Sequence, residues 1–491
     1  MKLLFAFVIT LLFALISARD VSYTIYHTTD VHGWLLEKRH NPDENADFGD
    51  LLSLITHVNA TALKERRNVL FFDTGDQLQG TGLSDATDPA GTVVMEATDK
   101  LPYDALTIGN HELGLPDSMD WMYKNYRHLH EGRMISSNVI YSNDKLFAKP
   151  YRVIKSPASG HNILSVGFMY DDRYPHKNTR VETVKKTVQS ADFQKMLREN
   201  EHAAFIVLLC HFPHENPETE VIRKAIRNVF PDKALFFLTG HRHQLRWAQL
   251  DSNAYALESG CYYHSIGKLE FTFSEENGVV SNVQHKWIQA NREKLIEEAG
   301  VPSRQFDTTD GLKLKKFLKK KFEDLHLADR LGCAKFTYKK RAPISDKDSI
   351  FKLWINDIFP SIEAESDNQQ IFVMNTGSMR SNIYEGDVVV DDVMAIDPFD
   401  NQYVYFQDLT LYQIQALIGS LHYHGDFGVT ENGDRLPNYY HTWYTGGYDG
   451  YDVITDDYTA VKLKDMLKKS NLQGNGILYH MMVSLLLLEV L

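Results

Sequence analysis

With 491 residues, 43% hydrophobic and 24% charged, the chain has an ordinary globular composition and a length that favours two domains over a single core. Its formal charge of −13 argues against a nucleic-acid backbone as the main partner, because that surface calls for clustered cations. Three cysteines, Cys210, Cys261 and Cys333, exclude a disulfide framework: at most one bridge forms, and one thiol is left over.

The chain opens with Met1-Lys2, an apolar run from Leu3 to Ile16 and the small pair Ser17-Ala18. This order reads as a secretory signal spanning residues 1–18, cut after Ala18. An uncleaved anchor is the alternative, although the run falls short of the ~20 residues that span a bilayer comfortably. Either reading places the rest of the chain in the secretory pathway, with an extracellular, cell-surface or vacuolar destination. Asn59-Ala60-Thr61 is an acceptor sequon that suits a glycoprotein on this route.

Val21 to His27 is β-rich and ends in Asp30-Val31-His32-Gly33. Helical spacing from Leu51 to Leu63 leads into Val69 to Phe72, an apolar run too short for a helix and stopped by Thr74-Gly75, so a strand delivers Asp76 at its end. Together they form a β-α-β unit. A helical stretch to Thr98 precedes the strand Tyr103 to Ile108, which ends in Gly109-Asn110-His111-Glu112. Further strands are predicted over 134–140 and 162–169. Ala203 to Leu209 closes at Cys210-His211, and Ala234 to Leu238 terminates in Gly240-His241-Arg242-His243.

Ligands of α/β sheets collect beyond such strand ends. Carboxylate, amide and imidazole donors in combination suit zinc and transition metals better than calcium. One cation is expected on Asp30, His32 and His243 and another on Asn110, His211 and His241, with Asp76 shared. Two cations ~3.5–4 Å apart clamp a phosphoryl group and acidify a water between them. His111 is left to protonate the leaving group or neutralise phosphoryl oxygens.

The series resembles the calcineurin-like metallophosphoesterase superfamily, and Ile25 to Gly33 with Gly75-Asp76-Gln77 is similar to its 5′-nucleotidase/UDP-sugar hydrolase branch. The resemblance implies an α/β fold with an N-terminal four-layer α/β/β/α metallophosphoesterase domain, residues 19–292. A linker with a connecting helix, 293–348, and an α/β C-terminal substrate domain, 349–491, would follow. It implies a metal-dependent phosphohydrolase that splits a phosphomonoester, a nucleotide, by metal-bound hydroxide, with two divalent ions such as zinc or manganese. In the second domain, the strand 370–374 opens into Asn375-Thr376-Gly377-Ser378-Met379-Arg380, where the family's asparagine contacts the nucleoside and its arginine grips phosphate. By the same resemblance Phe399 forms one side of a base-stacking slot, with Trp443 and Tyr444 as candidates for the other. Asp449 would bind sugar hydroxyls and Arg341 a further phosphate oxygen. Metal site and substrate loop on separate domains imply that closure assembles the site.

The chain departs from the family at Gly114, where an aspartate that orients the catalytic histidine is usual; Asp117 or Glu112 could substitute. Thr376, Ser378 and Met379 replace small or aliphatic loop residues, and Tyr448 is inserted before Asp449. These departures keep two alternatives open, a phosphodiesterase or nucleotide pyrophosphatase, and a catalytically impaired nucleotide-binding protein. The apolar run from Ile477 to Leu491 reads as a terminal helix or an incomplete C-terminus, with a GPI-type signal after Ser470-Asn471 as the alternative. A membrane would be met only through that tail or an uncleaved signal, and no nucleic acid is expected.

Overall fold

The computed structural model describes residues 20–142, 144–172, 176–359, 368–399, 402–421, 439–441, 451–456 and 476–480. The signal segment, Trp443, Tyr444 and Asp449 lie outside them. The chain divides into two compact units, Met1–Gln79 with Ala86–Lys321, and Gly80–Asp85 with Phe322–Leu491.

In the first unit β1 (Asp20–Thr28) and β2 (Asn68–Asp73) run parallel, Ile25 beside Leu70 and Thr28 beside Asp73. They are joined by α1 (Phe48–Lys64). The helix starts where the Asp47 side chain accepts the Asp50 amide and Asp50 returns the bond, a capping box worth about 1 kcal/mol. The strand expected over Tyr103 to Ile108 shrinks to β3 (Ala105–Leu106), because its neighbours turn at once into the helix that carries His111.

The strand predicted over 134–140 is confined to Val139–Tyr141, which pairs with Thr179–Val181 in a small separate ribbon. The strands of the main sheets are completed by β4 (Tyr151–Lys155), β5 (Asn162–Met169), β6 (Phe205–His211), β7 (Ala234–Thr239), β8 (Leu245–Asp251), β9 (Ala254–Ser259), β10 (Ser265–Ser274) and β11 (Val280–Gln289). They form two sheets, β11-β10-β1-β2-β3 and β8-β9-β7-β6-β5-β4. One apolar cluster takes Ile25, Leu70, Phe72 and Phe271 from the first sheet and Phe205, Leu209, Phe236 and Leu257 from the second, so the sheets pack face to face. The next residue along each strand points the other way. Leu164, Ile206, Leu208 and Phe237 therefore meet a helical layer through Val184, Phe193, Ile222 and Ile226. On the far side α1 covers β2. The result is the expected four-layer α/β/β/α arrangement. Its strands β5, β6, β7 and β9 are parallel, with Met169 beside His211 and Cys210 beside Thr239, so their carboxyl ends finish on one edge.

Within the stretch 293–348, where a helix is expected, one spans Thr309–Asp324. Its Lys315 ammonium lies 3.1 Å from Asp47 and 3.2 Å from Asp50, which ties it to the first turn of α1.

The second unit is built on a five-stranded sheet of Gln369–Asn375, Gln402–Leu409, Tyr439–His441, Tyr451–Asp456 and Gly476–His480. Alternation along its first strand sends Phe372 and Met374 to a cluster with Phe351 and Trp354, and Ile371 and Val373 to one with Ile414 and Leu417. The predicted terminal helix is corrected here. Gly476–His480 pairs antiparallel with Gln402–Leu409, because the open side of that strand offers unpaired backbone groups; residues beyond 480 lie outside the described ones. Cys210, Cys261 and Cys333 are all free thiols. Among the described residues no helix is long and apolar enough to cross a membrane.

Candidate metal centre

The loops after β1 and β2 are zipped together by their own backbones. Asp30 N–H donates to Gly75 O (2.9 Å), His32 N–H to Asp76 O (3.0 Å) and Gly33 N–H to Gln77 O (2.7 Å). The second sheet joins them through His211, whose Nδ1 donates to Thr74 O (2.7 Å), and through the His241 amide, 3.0 Å from both Asp30 oxygens.

This zipper demands unusual backbone. Asp30, His32, Asp76, His241 and His243 all adopt left-handed φ between 50° and 78°, as do Gln79, Tyr262 and Tyr263 beside them. Each such residue costs roughly 1–2 kcal/mol. Strain of this kind, concentrated at five of the seven expected ligands, is sustained by the network around it and turns the side chains back toward one point.

All seven come together. Asp30, His32 and His243 offer donor atoms within 4.8 Å of one another, and so do Asp76, His211 and His241; His32, Asp76 and His111 form a third such group. Asp76 Oδ2 stands 3.0 Å from His211 Nε2 and 3.8 Å from His32 Nε2. Asn110 Oδ1 is 3.2 Å from His211 Nε2, and the Nε2 atoms of His32 and His243 are 3.2 Å apart. Asp30, His32, Asp76 and His211 are buried, whereas Asn110, His111, His241 and His243 are partly open to solvent.

The donor set fits cations. The Nδ1 protons of His32 and His211 are committed to backbone carbonyls, Leu78 O and Gln79 O for the first and Thr74 O for the second. Their Nε2 lone pairs consequently face other acceptors: the Asp76 carboxylate, the Asn110 amide oxygen and the His243 imidazole. Acceptors facing acceptors in a buried pocket repel unless a positive charge sits between them. Without a cation a proton must fill that role. Burial pushes the Asp76 carboxyl up, but the charges of His211 and His111 outweigh it and hold the group well below the usual range. Burial likewise lowers His211, but the Asp76 charge carries its imidazole up to about 10. His241 is drawn down to about 4 by burial and by the charge of His211, which keeps it in the neutral, ligating form.

His111 lies on the helical turn Asn110–Leu113. Its backbone N–H donates to Asp76 Oδ1 (2.9 Å) and its Nε2 stands 3.8 Å from Asp76 Oδ2. Neither carboxylate proposed to orient the ring does so. Glu112 is occupied by the backbone amides of Asp76, Gln77, Leu78 and Gly109, and the partner on His111 Nδ1 is Gln79 Oε1 at 2.7 Å. Gln79 escaped the sequence reading because it lies in a polar stretch with no periodicity. The only signal was its place three residues after Asp76.

In the second unit Asn375 ends its strand and accepts the Gly377 amide (2.7 Å), so it shapes its own loop. The Arg380 guanidinium lies 5.1 Å from the centre of the half-buried Phe399 ring. Arg341 is exposed.

Residues 23–245 match the family model for calcineurin-like phosphoesterases, and residues 337–445 match the C-terminal domain of NAD nucleotidase. Residues 23–245 thus form a domain of the calcineurin-like phosphoesterases. They are hydrolases that use divalent metals. This phosphoesterase is 27% identical over 402 residues to an uncharacterized protein of Saccharomyces cerevisiae (77% of this chain, 66% of that one). It is 26% identical to a secreted protein of Arthroderma benhamiae (80% and 66%). The chain thus spans about two thirds of the length of these relatives. Its fold matches the crystal structure of a 5′-nucleotidase from Candida albicans with a TM-score of 0.85, at 23% identity and over 96% of this chain and 98% of that one. The match supports the two-part α/β architecture.

Proposed function

We propose that this phosphoesterase is a 5′-nucleotidase-type phosphomonoesterase of the secretory pathway that holds two divalent cations. The observation that carries the reading is the position of Asp76, whose Oδ2 faces donors of both ligand groups. One cation would rest on Asp30, His32 and His243 and the other on Asn110, His211 and His241, with Asp76 between. When bound, such a pair supplies charge to the phosphoryl oxygens and lowers the pKa of a water.

The chain's own residues do the rest. Water adds to phosphorus in line with the ester oxygen, the ester P–O bond breaks, and His111 delivers a proton to the departing oxygen. Phosphate and an alcohol are released. Burial of Asp30 and Asp76 keeps bulk water from screening the charges. A nucleotide is the proposed substrate, supported by the match to the NAD nucleotidase C-terminal domain and by the 5′-nucleotidase structural neighbour. Asn375, Arg380, Phe399 and Asp449 are its proposed contacts. The boundaries 1–18, 19–292, 293–348 and 349–491 and glycosylation at Asn59 belong to the same proposal, and the secreted relative supports the route.

The test is phosphate release from AMP, UDP-glucose and a simple phosphodiester by the purified chain with manganese or zinc, with Asp76→Asn as control. Turnover of AMP that the control lacks is the expected result. Turnover confined to the diester, or no turnover by a metal-loaded chain, would overturn it.

A further inference from the structure

We infer that Gln79 is the positioning residue of the phosphoesterase site, holding His111 through its side chain and His32 through its backbone. The inference deepens the proposed reaction and rests on His111 as its proton donor.

One residue meets both rings, sharing His32 Nδ1 with the Leu78 carbonyl at 2.9 Å. Gln79 Oε1 lies 2.7 Å from His111 Nδ1, and Gln79 O lies 2.9 Å from His32 Nδ1. The two imidazole rings meet edge to face with centroids 4.6 Å apart. A glutamine can serve both only if its carbonyl and side chain turn toward the same pocket. Its φ of 62°, in the left-handed region that a non-glycine residue seldom adopts, accompanies that turn. An amide oxygen accepts and cannot donate, so Nδ1 of His111 carries the hydrogen and Nε2 is aimed at the side where Asp76 Oδ2 stands. The bond survives whether the ring is neutral or carries a second proton on Nε2, which is what a group that gives up a proton and regains it requires.

The arrangement also accounts for Gly114. The carboxylate usual at that place is missing, Glu112 is engaged with four backbone amides, and the orienting acceptor comes from the loop after β2. A neutral amide fixes the tautomer without adding a further negative charge beside Asp76 and Asp30, a place where charge is already dense.

Gln79→Met keeps the length of the side chain and removes the acceptor; Gln79→Glu keeps it. With AMP and the zinc-loaded full chain, Gln79→Met should lower kcat about 10- to 100-fold with KM and bound zinc nearly unchanged, the scale on which outer partners of metal-site histidines act. Gln79→Glu should recover most of that loss. The second readout needs no turnover. In ¹⁵N-histidine spectra of the zinc-loaded chain, with the His111 signals assigned by their loss in His111→Asn, wild type should show the single Nδ1–H tautomer and Gln79→Met a mixture. An unchanged tautomer in Gln79→Met would overturn the inference, as would a kcat within twofold of wild type. If wild type fails to hydrolyse AMP while the tautomer responds as stated, the substrate reading falls and the role of Gln79 stands.

Discussion

The Glu112 carboxylate accepts the backbone amide of Asp76 at 3.0 Å, and its two oxygens also take the amides of Gln77 (2.6 Å), Leu78 (3.1 Å) and Gly109 (2.8 Å). One buried side chain therefore holds the loop that presents Asp76 against the turn that presents Asn110 and His111. Glu112→Gln conserves the shape but turns one acceptor into a donor that faces N–H groups. The expected loss is at least about 2–3 kcal/mol of stability, because each Glu112 oxygen accepts two amides and two charged hydrogen bonds are lost together. Urea unfolding of wild type and variant measures it, and equal midpoints would show that the clamp is idle.

Asp76→Asn removes the negative charge that the His211 and His32 nitrogens face. Bound zinc or manganese, counted per chain by elemental analysis, should fall by at least one ion. Phosphate release should fall by more than about 10²-fold, beyond the effect of outer-sphere partners. Full metal content with full turnover would remove Asp76 from the centre.

Two glycines separate close approach from open space. A Cβ on Gly109 would overlap Asp76 at its carboxylate and its backbone nitrogen, whereas one on Gly114 meets nothing nearer than the His111 carbonyl at 3.5 Å. Gly109→Ala should therefore depress activity through a displaced Asp76, while Gly114→Ala leaves activity and stability within about 0.5 kcal/mol of wild type. Gly114→Asp should raise the rate by less than about threefold, because Gln79 already holds the ring. A larger gain would mean that the amide is a poor substitute.

Far from the centre, Asp251 sits between Arg223 (2.8 Å) and Arg227 (3.0 Å), with Arg227 gripping both oxygens. Burial pushes its carboxyl up, but the two guanidinium groups outweigh it and bring it down to about 2. A carboxyl whose pKa is lower folded than unfolded stabilises the protein above its unfolded value, and that contribution is lost as pH falls from about 4 toward 2. Asp251→Asn should lower the urea midpoint at pH 6 and make its decline between pH 5 and pH 2.5 shallower than in wild type. Parallel declines would show that the pair does not couple to folding.

The sequence by itself determined the parts that are local. Short apolar strands that end at Thr-Gly, Gly-Asn, Cys-His and Gly-His announce where Asp76, Asn110, His111, His211 and His241 leave the sheet, since a strand's identity and end depend on its own few residues. Donor types and their order were enough to propose two sets of metal ligands. Only the tertiary structure decided what lies across the site. That Gln79 meets His111, that Glu112 is spent on four amides, and that the His32 and His211 protons point away from the pocket all depend on loops from separate strands meeting in space. The tail shows the same division. An apolar run can read as a helix on its own, yet residues 476–480 pair as a strand because the edge of Gln402–Leu409 offers hydrogen bonds that no reading along the chain could supply.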